Sequence, residues 1–343
     1  MKVWLPHIRG GSGVDVFTEG LAQALLARGV AATATPFAHN YQYAPWLLRR
    51  EAAPKGTDVI ITNSWNGFAF RRPAAALVVI EHHCVFDPAY LPHRSRTQGV
   101  FHEALVRRFE DASFSAADAV VAVSVYTAAS LERALGVTPT EVIHNGVDVG
   151  FFCPGGEGAT ERQDRPLRLL FVGNLSRRKG VDLLVPLMGR LGDRCELAYT
   201  SGLRGADPLR SLANTRHLGR LTRNALRQAY RDADLLVFPS RLEGFGYAAA
   251  EAMACGTPVV ATNGSALPEV VSDGETGLLC PVDDLDAFEQ AIRRLAGDPG
   301  LRRSMGIRGR EIAVSRFSMQ RMTDRYIALC ERLLQGASHR ARP

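Results

Sequence analysis

The chain has 343 residues, 46% of them hydrophobic and 22% charged, which is enough to bury a sizeable core and predicts about two domains rather than one. That balance excludes wholesale disorder, and no run approaches the ~18 to 20 apolar residues that a membrane-spanning helix needs. The net charge of +6 is spread over small groups (Arg49-Arg50, Arg71-Arg72, Arg94 with Arg96, Arg107-Arg108, Arg177 to Lys179) with no nucleic-acid motif beside them, so no nucleic-acid partner is expected.

The start, Met1 to His7, breaks too early for a secretory signal, and a cytoplasmic protein is the expectation. The six cysteines are scattered without a Cys-x2-Cys pair or a neighbouring His at metal spacing, so mostly buried, reduced thiols and no metal are expected.

In chain order, Lys2 to Leu5 reads as a buried strand, followed by Gly10-Gly11-Ser12-Gly13 and a helix whose Val14, Phe17, Leu21, Ala24 and Leu25 share one face. The N–H groups of Gly11, Ser12 and Gly13 can meet a phosphate or an acceptor hydroxyl, although an ordinary tight turn reads the same way. Tyr41 to Arg50 puts aromatic and aliphatic residues beside two arginines. That pattern fits either a core helix with charged ends or a segment resting in a membrane interface. Asp58 to Asn63, Ala76 to His82, Ala119 to Ser124 and Glu141 to His144 complete a set of buried strands, and a parallel sheet is the natural inference.

Pro154 to Pro166 loses every apolar period and reads as the linker between domains of 1–153 and 167–310. Strands are expected again at Leu169 to Val172, Glu196 to Tyr199, Leu235 to Phe238, Pro258 to Ala261 and Gly277 to Cys280, with helices between them. The fold class is therefore α/β, with two Rossmann-like, doubly wound domains. After Pro299 the pattern is helical to about Leu334, and a basic tail follows from Ser338 to Pro343.

The most informative segment is Glu243-Gly-Phe-Gly-Tyr-Ala-Ala-Ala-Glu251, two carboxylates around a Gly-Phe-Gly elbow that runs into a helix ended by Gly256. An anion is expected at that helix N-terminus. At ~1.5 Å of rise per residue, Glu251 lies roughly 7 Å along the helix from Gly246, so the two carboxylates grip different ends of one ligand. Hydroxyls at both ends and a diphosphate between them describe a nucleotide sugar.

With these motifs the chain resembles family 4 of the nucleotide-sugar-dependent glycosyltransferases, enzymes of the GT-B fold. The resemblance is carried by five collinear pieces: Phe171 to Gly180, Leu218-Gly219, Tyr230 to Ser240, the Glu-x7-Glu segment, and Leu267 to Leu279. Gly10 to Gly13 and Ile143-His-Asn-Gly-Val-Asp148 add to it from the first half.

The resemblance implies two Rossmann-like domains facing across a cleft, with the donor mainly on the second and the last helices, from 311 to 335, crossing back to the first. It implies a retaining, metal-independent hexosyltransferase with no cofactor, a UDP- or GDP-linked sugar as donor, and a glycan or lipid-linked acceptor. Cell-surface polysaccharide or glycolipid synthesis is the expected setting, with peripheral contact at the inner face of the membrane.

By the same resemblance, Glu251 holds the ribose, and Glu243 stands at the sugar with the Gly244, Phe245 and Gly246 elbow and Tyr247 beside it. Lys179 meets the phosphates, His82 lies near sugar and acceptor, and Gly173, Gly219 and Leu221 line the donor. The family usually has an arginine where this chain has Asn174, and Arg177 or Arg178 is the expected substitute. His82 is favoured over His83 because adjacent strand residues point to opposite sides. Asp87, Tyr90 and His93 line the acceptor side or are plain loop residues. Nucleotide-sugar 2-epimerase chemistry and a non-catalytic nucleotide-sugar-binding partner of a polysaccharide assembly complex remain alternatives. A glycosidase using the two glutamates is disfavoured by their helix placement.

Overall fold

A computed structural model describes residues 1–11, 13–155, 165–201 and 207–340, with side chains to residue 336. Ser12, most of the expected linker and the end of the tail lie outside the described residues. The chain divides into two compact units, residues 1–146 with 319–343, and residues 147–318.

The first unit is a six-stranded parallel sheet in the order β2-β1-β3-β4-β5-β6. Its strands are β1 (Lys2–Ile8), β2 (Ala31–Phe37), β3 (Val59–Asn63), β4 (Ala76–Glu81), β5 (Ala119–Ala122) and β6 (Glu141–Val142). The helices are α1 (Gly13–Ala27), α2 (Arg96–Phe101), α3 (Arg107–Ala116) and α4 (Val125–Leu135). The central strands β3 and β4 are runs of Val, Ile and Leu buried on both faces, which is what helices on both sides of a sheet demand. On one face Trp4, Ile60, Leu77 and Val79 pack with Leu48 and Phe70, and Trp4 meets Phe70 edge-on at 5.5 Å.

The segment 39–50 forms two 3-10 turns, His39–Tyr43 and Pro45–Arg50, rather than one helix. Leu48 is buried, while Tyr43, Trp46 and Leu47 are exposed.

The second unit repeats the plan in the order β12-β11-β10-β7-β8-β9, again parallel. Its strands are β7 (Leu167–Phe171), β8 (Cys195–Thr200), β9 (Thr215–Gly219), β10 (Leu235–Phe238), β11 (Val259–Thr262) and β12 (Gly277–Cys280). The helices are α5 (Val181–Leu191), α6 (Arg223–Asp232), α7 (Tyr247–Ala254), α8 (Leu267–Val270), α9 (Leu285–Gly297) and α10 (Pro299–Arg316), and α11 (Met319–Arg340) returns to the first unit.

Leu169, Phe171, Leu197, Tyr199, Leu235 and Val237 form one face of the sheet and close on Leu184, Leu187 and Met188 of α5 and on Phe288 and Ile292 of α9. Strand order reverses between β7 and β10, so the loops after these two strands diverge at one end of the sheet and leave a crevice there. Residues 172–180 and 239–247 are those loops.

Two strands, β2 and β9, are absent from the sequence expectation. Both are edge strands of alternating or partial exposure, Ala31–Phe37 without a single buried residue, so no continuous apolar run announces them.

Candidate active site

In the second unit, Lys179 closes the short turn Arg177–Lys179 after β7, and Gly180 follows at φ +74°. A Cβ at Gly180 would lie 2.1 Å from the Pro239 carbonyl oxygen, so only glycine lets the β7 loop lie against the β10 loop. This close approach brings Lys179 to Glu243, 64 positions away, and Lys179 Nζ donates to Glu243 Oε1.

Both side chains are nearly buried, 15% and 11% exposed. Ser240 Oγ donates to the same carboxylate oxygen at 2.6 Å, Ser265 Oγ accepts from the Glu243 amide at 3.0 Å, and the ammonium sits 5.1 Å from the centre of the Phe238 ring.

Burial would by itself raise the Glu243 carboxyl, but the charges of Lys179 and Arg178 and the bonds from Lys179 and Ser240 hold it below the ordinary range. Burial in turn lowers the Lys179 ammonium, with Arg178 adding to that and Glu243 opposing it. These bonds hold the pair together in a nearly buried position.

Arg178 completes this cluster. Its guanidinium donates to the Leu242 carbonyl at 2.7 Å, whereas Arg177 is turned to solvent, 83% exposed, with Asp182 3.8 Å away. Asn174 is exposed, and its carbonyl accepts from Ser176. Gly173 donates its amide to Thr200 Oγ1 at 3.0 Å, and a Cβ on it would touch Lys179 at 3.7 Å.

The elbow then runs into α7. Gly246 is the N-cap at φ +102°, no side chain caps the helix, and Phe245 packs edge-on against Tyr247 at 5.5 Å and Phe317 at 5.6 Å. An uncapped N-terminus beside Lys179 and Arg178 is a field suited to an anion.

Glu251 lies one turn beyond Tyr247 and accepts from Tyr230 Oη at 2.9 Å. The residue as a whole is half-buried but its carboxyl end is enclosed, and burial pushes it up to about 7 against the Tyr230 bond and the Arg223 charge. The Tyr247 hydroxyl is buried without a partner.

Gly219 ends β9 at φ +67° in open space. Leu221 lies instead in a groove of about 500 Å³ beside α6, with Leu218 and Leu170 among its walls. His217 stacks on Tyr199 at 5.1 Å and bonds Ser201 Oγ at 2.8 Å.

In the first unit, the amides of Gly10 and Gly11 are already taken. Asp15, in the first turn of α1, accepts from Gly10 at 3.1 Å and from Gly11 at 2.6 Å. Gly13 starts α1 with open space around it, and Ser12 lies outside the described residues.

β4 ends at Glu81, so the alternation argument that separates His82 from His83 does not reach them. His82 packs edge-on against Phe17 at 4.8 Å and puts Nε2 3.1 Å from Asn63 Oδ1, and burial lowers its imidazole to about 4. Held neutral by burial, it has one N–H, which Nε2 gives to Asn63, and Nδ1 is the acceptor nitrogen.

His83 is half-buried, with its ring 5.1 Å from Tyr90, and Tyr90 stacks on His102 at 6.0 Å. Asp87 is buried and accepts from Ser130 Oγ and the Ala89 amide, which makes it a clamp of its own loop. His93 ends the short turn Leu91–His93.

Sequence reasoning missed the buried glutamates Glu81 and Glu110, which interact as neighbours. Glu81 Oε1 accepts from the His83 amide at 2.8 Å, and Glu110 Oε1 accepts from Ser64 Oγ at 3.1 Å. The remaining oxygen of each is buried without a donor, and burial raises both carboxyls, Glu110 further so by the Glu81 charge. Nothing in a sequence joins residues 29 positions apart on a strand and a helix.

Comparison with known proteins follows the division of the chain. The profile of Glycosyltransferase Family 4 matches residues 11–151, and that of Glycosyl transferases group 1 matches residues 158–312. The D-inositol 3-phosphate glycosyltransferase of Kribbella flavida is 32% identical over 346 residues, covering 86% of this chain and 81% of the relative. Among solved structures, sucrose-phosphate synthase from Thermosynechococcus elongatus superposes with a TM-score of 0.81 at 23% identity, over 98% of this chain and 100% of that one. The Anabaena protein HepE in complex with UDP-glucose has a TM-score of 0.77 at 17% identity, over 96% and 100%. These structural likenesses bear on the fold, two Rossmann-like domains of the GT-B class.

Proposed function

This chain belongs to glycosyltransferase family 4, and from that premise we propose that it moves a hexosyl unit from a UDP- or GDP-linked sugar to a hydroxyl acceptor with retention at the anomeric carbon. The observation that carries the proposal is the buried Lys179–Glu243 pair with Arg178 beside it, next to the uncapped start of α7. A diphosphate there meets two cations and a helix N-terminus. Glu243 holds Lys179 in place and offers its carboxylate to sugar hydroxyls, and Glu251 accepts from the ribose.

In the proposed step the bond from the anomeric carbon to the phosphate oxygen breaks while the bond to the acceptor oxygen forms on the same face. The acceptor's proton passes to the departing phosphate. Charge grows on that phosphate, and a cation already positioned and desolvated stabilises it without rearrangement. Arg178 stands in for the arginine absent at Asn174, because it faces Lys179 and Glu243 while Arg177 pairs with Asp182 in solvent.

The scheme uses no metal, because Lys179 and Arg178 supply the positive charge. Neutral His82 positions sugar or acceptor rather than acting as a base. The acceptor is a glycan or a lipid-linked sugar in cell-surface glycan synthesis. The exposed Tyr43, Trp46 and Leu47 beside Arg49 and Arg50 support peripheral contact with an anionic membrane face. No described helix is long and apolar enough to cross a membrane.

The test is incubation with a panel of UDP- and GDP-linked hexoses, with and without simple glycosides as acceptors, followed by NMR. Slow release of the free nucleoside diphosphate and a product of unchanged anomeric configuration are expected, both lost in Lys179→Ala. Conversion of donor to an isomeric nucleotide sugar, or inverted product, would refute the proposal.

A further inference from the structure

Tyr230 lies in the last turn of α6 with its side chain fully buried, and its hydroxyl donates to Glu251 Oε2 at 2.9 Å. Its backbone and ring are fixed independently of that bond. The Tyr230 carbonyl accepts from buried Thr257 Oγ1 at 2.6 Å, and the ring meets Phe152 edge-on at 6.0 Å. A phenol held this way cannot swing, whereas a glutamate side chain left alone samples several rotamers.

Among the described residues no protein donor bonds Glu251 Oε1. The other groups around the carboxyl are Arg223 on α6, Tyr247 on α7 and Cys255 at the end of α7. Arg223 is committed elsewhere, to Asp148 at 2.7 Å and to the face of Phe151 at 4.1 Å.

We propose that Tyr230 is a positioning residue for nucleotide recognition, holding one oxygen of Glu251 so that the other is presented as the acceptor for the ribose hydroxyls. The inference rests on the reading of Glu251 as the ribose ligand and adds a residue that never touches the nucleotide. Two consequences of the bond point the same way. It restricts the carboxylate before the ligand arrives, which lowers the ordering cost of binding. It also favours the ionised carboxyl in a place where burial opposes ionisation, and the ionised form is the better acceptor.

The test measures dissociation constants at pH 7.5 for UDP, GDP and their 2′-deoxy forms, on the full chain, for wild type, Glu251→Gln, Tyr230→Phe and Thr257→Val. Wild type is expected to prefer the ribonucleotide, and Glu251→Gln to lose that preference. Tyr230→Phe, which keeps the ring and its packing, should weaken the ribonucleotide by about tenfold and leave the deoxy form unchanged, the size expected for one hydrogen bond to a charged group. Thr257→Val removes a buried bond from the same segment but spares the hydroxyl, so it should melt earlier and keep the preference.

If Tyr230→Phe keeps the ribose preference while Glu251→Gln loses it, the inference on Tyr230 fails and the ribose reading stands. If Thr257→Val loses the preference too, the effect is general damage and the inference likewise fails. If wild type and Glu251→Gln discriminate equally, the ribose reading itself falls.

Discussion

Lys179 and Glu243 pose the question of whether a buried charge pair serves stability or chemistry. Removing one partner leaves the other charge buried and uncompensated, a cost of about 3–5 kcal/mol, while neutralising both at similar volume is often nearly neutral. Lys179→Met alone and Glu243→Gln alone should therefore each lower the melting temperature, whereas the double variant should recover most of it. Turnover should stay at least a hundredfold down in Lys179→Met and in the double variant, because without the ammonium the pair offers nothing to a developing phosphate charge. Calorimetry and turnover on the same preparations check this, and recovered activity in the double variant would remove Lys179 from the chemistry.

Glu251 allows a pH argument with a definite sign. Its folded carboxyl titrates at about 7, above an unfolded glutamate, so the folded chain holds a proton that the unfolded chain has already lost. The stability this group contributes is full at low pH and is lost as pH rises through about 7. A shift of this size corresponds to roughly 3 kcal/mol at most. Melting temperatures of the nucleotide-free protein from pH 5 to 8.5 should fall more steeply for wild type than for Glu251→Gln. Nucleotide affinity should rise across the same window, since the ribose hydroxyls need the ionised acceptor. Parallel melting curves would show that this carboxyl is not shifted.

At the scale of elements, the Glu243–Glu251 segment was legible because its features lie in one stretch: two glycines, a helix start and a carboxylate one turn beyond Tyr247. The observed α7, Tyr247–Ala254, differs from the expected span by one residue. Central strands announced themselves by runs such as Val59–Asn63, while the edge strands β2 and β9 did not. Partners distant in sequence were hidden: Tyr230 on Glu251 and Glu110 beside Glu81 depend on how elements pack. Which of Arg177 and Arg178 reaches solvent was equally closed to the sequence, because it depends on the conformation of the Arg177–Lys179 turn.

Two glycines at element junctions give a prediction of their own. Gly180→Ala forces a Cβ to 2.1 Å from the Pro239 carbonyl at φ +74° and should cost about 2–4 kcal/mol, since backbone must move. Gly246→Ala meets only the end of the Leu267 side chain, at 2.8 Å, although φ +102° still disfavours it. Its expected signature is a smaller drop in stability with a larger loss of nucleotide affinity, because the elbow itself is reshaped. Denaturant titration paired with nucleotide binding separates the two, and an equal stability loss for both would mean that side-chain and backbone obstacles count alike here.

For the whole molecule, what matters is how the chain is partitioned. The second unit is one continuous stretch, 147–318, and its two ends meet: Val147 pairs with Ser318 in a parallel bridge, and the Val147 amide donates to the Phe317 carbonyl at 2.7 Å. It also carries its own core, with Leu169, Leu187, Leu197 and Phe288 closed inside it.

The first unit has no such independence. It is completed by α11, whose buried Tyr326 meets Phe17 of α1 at 6.1 Å, and whose Met319 leaves no space for a side chain at Gly146. Arg325 and Arg332 of the same helix pair with Glu141 at 2.7 and 2.6 Å, and Arg28 pairs with Asp324 at 2.8 Å. The arginines of these pairs reach solvent, so the pairs contribute little, and the main loss on removing α11 is the apolar cover that Tyr326 gives Phe17.

Truncation after Ser318 should therefore unfold the first unit and leave the second folded. A fragment of 147–318 should bind UDP or GDP with an affinity within about tenfold of the full chain, because Arg178, Lys179, Glu243 and Glu251, proposed for the diphosphate, sugar and ribose, all lie in it. Hydrogen exchange on the truncated chain and calorimetry on the fragment read the two halves separately. A truncated chain with β1, β3 and β4 still protected, or a fragment that is unfolded in the presence of nucleotide, would mean that stability is shared across the division rather than held within each unit.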